Sequence, residues 1–143
     1  MGASEDYQAG IMQALERFQF IEEALKECIF SAVKIAENKL APFFPVNYKA
    51  KDISKLPLGS LINNFVKINS DSKLHKELRD ITQERNYIAH QSFLFTLGEL
   101  EDEDLMKNEL KKILDISEKA KQLHNKVLDV RFELKRAERK ALG

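Results

Sequence analysis

Apolar residues recur every three or four positions along two long stretches of the chain, the period of one face of an α-helix. In the first stretch, from about Ser4 to Leu40, the stripe is Ile11, Ala14, Phe18, Ile21, Leu25, Cys28, Ala32 and Ile35. Ser4 is placed to cap this helix, and Glu5 and Asp6 fall in its first turn, where acidic groups favour the helix dipole. Gly10 weakens the opening turns by roughly 1 kcal/mol relative to Ala, so fraying is expected there. The second stretch, from about Leu105 to Arg139, carries Leu110, Ile113, Ile116, Ala120, Leu123, Val127, Val130, Leu134 and Ala137.

Between these stretches the pattern breaks and restarts. Pro42 and Pro45 end the first helix, because proline lacks the amide proton and clashes with the preceding turn. Lys49 to Lys55 reads as a polar loop. Pro57-Leu58-Gly59-Ser60 opens a short helix through Ile68, and Asn69-Ser70-Asp71-Ser72 is a turn and cap cluster. A third helix runs from about Lys73 to Ser92 on Leu74, Leu78, Ile81 and Ile88, with Arg85 where an apolar residue is expected. Phe93 to Gly98 is an apolar stretch ending at a breaker. The acidic run Glu99–Asp104 serves the next helix start. No strand pattern occurs. The elements predict an all-α fold: an up-and-down bundle of four to five helices with two long antiparallel helices. Apolar surface left over from the long stripes predicts a homodimer.

Composition narrows the class. A chain of 143 residues fits a single domain, here taken as 1–143. Its one cysteine excludes an internal disulfide and a cysteine-based zinc site, and Cys28 on the apolar stripe reads as a small buried hydrophobe. Net charge is zero, which excludes a basic coat that grips any nucleic acid but not a local RNA contact. No signal peptide, myristoylation pattern or membrane-length apolar run is visible, so a cytoplasmic protein is expected. Phosphate-binding loops, dinucleotide fingerprints and HExxH are missing, which removes kinases, dehydrogenases and zinc proteases.

Arg85-Asn86-Tyr87-Ile88-Ala89-His90 is the segment that violates its own pattern. An arginine on an apolar stripe costs several kcal/mol, on the order of a buried unpaired charge, unless it is paired or opens into a cleft. His90 lies about 140° further around the helix, and Asn86 shares a face with His90. Asn86 can fix the imidazole's tautomer, the imidazole can move a proton from a 2′-hydroxyl or to a leaving oxygen, and Arg85 can stabilise charge growing on phosphorus. The bland alternative pairs Arg85 with Glu84 or Asp80. If a carboxylate merely ties off that guanidinium on an open flank, only a helical package is left.

These residues resemble the motif of HEPN domains, the higher-eukaryote and prokaryote nucleotide-binding superfamily: Arg, a polar residue, and His a few positions on. Leu58-Gly59-Ser60-Leu61-Ile62 also looks like the helix-opening segment of some HEPN groups. The resemblance implies a metal-independent endoribonuclease without cofactors, acting as a homodimer whose Arg and His residues face one cleft. The RNA 2′-hydroxyl is the nucleophile and a cyclic phosphate is left. It also implies a toxin–antitoxin or defence role, with any antitoxin or regulator a separate chain. Arg85 and His90 would be catalytic and Asn86 assisting. Other HEPN members are non-catalytic binding modules, which is the competing expectation; a coiled-coil-like dimer with no small ligand is a third.

Remaining candidates are weaker. Tyr87 could stack an RNA base, although packing is the commoner role. Lys49, Lys51 and Lys55 could guide a phosphate backbone or be a solvated loop. His75 and His124 lie on charged segments without metal-site spacing and read as surface. The basic residues from Arg131 to Lys140 suit a helix C-terminus without any RNA.

Overall fold

The computed structural model describes residues 2–98 and 102–143, so Glu99 and Glu101 of the acidic run lie outside the described residues. Five helices follow in order: α1 (Ala3–Leu40), α2 (Ala50–Ser54), α3 (Leu58–Val66), α4 (Ser72–Thr96) and α5 (Glu103–Leu142). The described residues are all-helical apart from connections, as the apolar periods require.

Several boundaries differ from the sequence reading. Helix α1 begins at Ala3 after Gly2, which offers no capping side chain, and Ser4 lies inside the first turn. The Lys49–Lys55 segment contains α2, because Ile53 is buried and anchors one helical turn. Helix α4 continues through Phe93–Thr96. It stops only where Gly98 takes φ +75°, a left-handed conformation that suits a residue without Cβ. Asp71 caps α4 by accepting from the Leu74 N–H at 3.1 Å, and Asp102 caps α5 from the Asp104 N–H at 2.9 Å.

The direction of the long helices overturns an expectation. Gly10 packs on Leu110, Arg17 Nη1 donates to the Ser117 carbonyl oxygen at 2.8 Å, and Cys28 Sγ lies 3.8 Å from the Val127 carbonyl oxygen. Partners advance together along both chains, so α1 and α5 run parallel, not antiparallel. Helix α4 supplies the return. Its contacts with α1 (Tyr7 with Gln91, Glu22 with Arg85) and with α5 (Tyr87 with Lys112, Glu77 with Lys126) all run in opposite senses. Two long stripes with shorter helices between them suggested an up-and-down order, but a stripe carries no direction. Helices α2 and α3 are too short to bring the chain back, and α4 does so before α5 begins.

The core lies where α1, α3, α4 and α5 meet, around Phe18, Ile21, Leu25, Leu61, Phe65, Leu78, Ile81, Ile113 and Leu123. Gly10 belongs to it. A Cβ there would come within 2.8 Å of Leu110 Cδ1, so the Leu110 side chain would have to shift to admit one, and α1 is helical on both sides of the glycine. His75 also differs from expectation. It is buried, its Nε2 is 2.9 Å from Asn69 Oδ1, and its ring meets Phe65 edge-on. A polar tip satisfied by the Asn69 turn makes an otherwise costly burial tolerable. His124 is half-buried and stacked on Phe20, and burial, then the neighbouring Arg131 charge, lowers its pKa.

Candidate functional site

Helix α4 is unbroken from Ser72 to Thr96, so the angular relations of a regular helix hold across Arg85, Asn86 and His90. Ile81 and Ile88 point into the core, and Arg85 sits at its margin. Asn86 and His90 lie on the outer face and are exposed, and neither side chain has a hydrogen-bond partner among the described residues. The expected Asn86–His90 bond is not formed. The imidazole is therefore open to solvent, with no group among the described residues fixing its tautomer.

Arg85 is paired, though not with Glu84 or Asp80. Its Nε is 3.8 Å from Glu22 Oε1 of α1, and its side chain remains 43% exposed. Glu84 instead meets Lys119 of α5 at 2.6 Å. A partner 63 positions away in sequence left no local signal to find. Part of the condition that would reduce the site to a helical package is thus met: a carboxylate is near and the flank is open. The separation limits what it means. At 3.8 Å the contact is longer than an N–H···O hydrogen bond, and a half-exposed pair of this kind is worth about 0–1 kcal/mol. Glu22 restrains the guanidinium without consuming its donors.

The other candidates disperse. Tyr87 is half-buried with Lys112 Nζ 4.1 Å from its ring centre, so one ring face is occupied by α5, as packing predicts. Lys49, Lys51 and Lys55 are exposed around α2. That helix packs through Ile53 beside Glu27, Phe30 and Lys34, in the C-terminal half of α1. Gln91, next to His90, meets Tyr7 near the start of α1, and Arg85 meets Glu22 at its middle, ahead of the residues that α2 packs beside. The fold therefore keeps Arg85, Asn86 and His90 together on one helix and does not bring the three lysines to them.

The outer face of α4 carries a feature that residue-by-residue reading missed. Arg79, Gln83, Asn86, His90, Phe93 and Leu97 advance by steps of four and three, and all are exposed. Phe93 is 61% and Leu97 55% exposed. This is a second stripe at the helical period, polar in its first half and apolar in its last. Its heptad spacing was available in the sequence but was masked by the stronger core stripe.

Among the described residues no group of three or more His, Cys, Asp or Glu side chains is arranged to hold a metal ion. No described helix is long and apolar enough to cross a membrane. No protein-family model matches the sequence, and comparison with curated proteins and with solved structures finds no match.

Proposed function

We propose that the protein is a metal-independent endoribonuclease of HEPN type that works as a homodimer, with a toxin–antitoxin or defence role. The observation that carries this is the exposed His90, without a partner among the described residues, on the face of Asn86 and five residues along α4 from a half-exposed Arg85. Strand cleavage through the 2′-hydroxyl needs a base and an acid. One imidazole takes the 2′-hydroxyl proton while that oxygen bonds to the adjacent phosphorus. A second imidazole gives a proton to the departing 5′-oxygen, which leaves a cyclic phosphate. A single chain offers one such imidazole, so the second comes from a partner copy. Phe93 and Leu97 continue the His90 face, and pairing them with their counterparts buries exposed apolar surface next to the two histidines. Arg85 then stabilises the phosphorane charge, and Asn86, which does not bond the imidazole in the single chain, turns to orient it once the cleft is assembled.

The expected result is RNA cleavage that persists in EDTA. His90→Ala and Arg85→Ala each lower it by on the order of 100-fold or more with helicity unchanged. Gel assays on the purified variants decide this; cleavage at the parent's rate by both refutes the catalytic assignment.

A second reading rests on the Glu22–Arg85 contact. If that pair is structural, the same face is non-catalytic and binds nucleotide, RNA or a partner protein. Expression separates the two: a nuclease slows host growth unless His90 or Arg85 is replaced, whereas a binding module is tolerated as wild type.

A further inference from the structure

The polar half of the outer stripe ends at a solvent-open depression in the surface. It leads to a cavity of about 490 Å³ between the opening turn of α3 and the first half of α4, a size in the range of ligand clefts, about 300–1,000 Å³. Five side chains lining it are polar: Ser60 and Asn63 from α3, and Arg79, Thr82 and Gln83 from α4. Thr82 is committed to its own helix, donating to the Leu78 carbonyl oxygen at 3.3 Å. Arg79, Gln83 and Asn63 have no hydrogen-bond or ion-pair partner among the described residues, although Arg17, Arg85 and Arg131 each reach a carboxylate. The positions of α4 that neighbour Arg79 on the helix surface, His75, Lys76, Thr82 and Gln83, include no acid. Arg79 is thus the one charged side chain among the lining residues, and its donors, with those of Gln83 and Asn63, are unspent among the described residues.

We infer that this cavity is a phosphate subsite for the same RNA strand that His90 cuts, with Arg79 as its anion-binding residue and Gln83 and Asn63 as supplementary donors. The inference rests on the ribonuclease reading for its choice of ligand. Arg79 and His90 lie on one exposed face, eleven residues apart, on the order of 16 Å along the helix axis. A short single strand laid along α4 reaches both, with Gln83 and Asn86 between them. An arginine on an uncontested phosphate contributes affinity and register without reading bases.

The test is binding of a 2′-O-methyl RNA oligonucleotide of about ten nucleotides, which lacks the attacking hydroxyl and so cannot be cut. Anisotropy titrations at several salt concentrations compare wild type, Arg79→Gln and, as a control of equal charge loss, Lys140→Gln. Arg79→Gln is expected to weaken binding about fivefold and to reduce the salt slope by roughly one phosphate contact, with Lys140→Gln near wild type. No binding by wild type, or equal affinity and slope for the two variants, overturns the subsite. Cleavage of ordinary RNA by wild type, measured separately, judges the other claim. Binding that depends on Arg79 without cleavage keeps the subsite and removes the nuclease. Cleavage that depends on His90, with undiminished binding by Arg79→Gln, does the reverse.

Discussion

Tyr7 and Cys28 are fully buried on α1 and titrate accordingly. Burial, then the nearby Glu109 carboxylate, pushes the Tyr7 phenol from 10.0 up to about 12. Burial, as the leading cause, pushes the Cys28 thiol from 9.0 up to about 12. In both the neutral form is the one the fold accepts, and Tyr7 uses its proton to donate to Gln91 Oε1 at 3.0 Å. The unfolded chain loses these protons at lower pH than the folded one. Their stabilising contribution is therefore complete below the ordinary values and disappears as pH rises from about 9 or 10 toward 12. Melting temperature is expected to fall between about pH 9 and pH 12, and to fall less in Tyr7→Phe; an identical drop in that variant would exclude Tyr7 as a source. The buried state of Cys28 was legible from its place on the stripe. The pairing of Arg85 was not, because Glu22 approaches only after α1 and α4 have packed.

Element ends were partly legible. The Asn69–Ser72 cluster marked a helix start, and Asp71 performs that role. Asp71→Ala is expected to cost about 1 kcal/mol, read as a lower denaturation midpoint with an unchanged slope. No change would show that the Leu74 amide is satisfied otherwise. Ser4 looked equally good as a cap and fails, because α1 already begins before it. The Phe93–Thr96 stretch read as an apolar run beyond a third helix that ended at about Ser92. It is the last turn of α4, ordered by helix continuity up to Gly98. Gly10 looked like a weak point for α1. Its value appears only against Leu110 of another helix.

At the scale of the molecule, the α4 face links the proposed chemistry to assembly. Phe93→Asp removes no core contact, since Phe93 is exposed, but places a charge in the proposed seam. Sedimentation is expected to give twice the 16.5 kDa chain mass for wild type and a single chain for the variant, with cleavage lost alongside. A variant that stays dimeric, or a monomeric wild type that cuts RNA, would place the second imidazole elsewhere. The sequence by itself determined that the chain is helical, which stripes form the core, and that Arg85, Asn86 and His90 share one helix, because these follow from a period of 3.6 residues. Only tertiary structure decided that α1 and α5 run parallel, that Glu22 reaches Arg85, that His75 is buried, and that a cavity opens beside Arg79. Each depends on which surfaces meet at distant positions, and a local period holds no information about that.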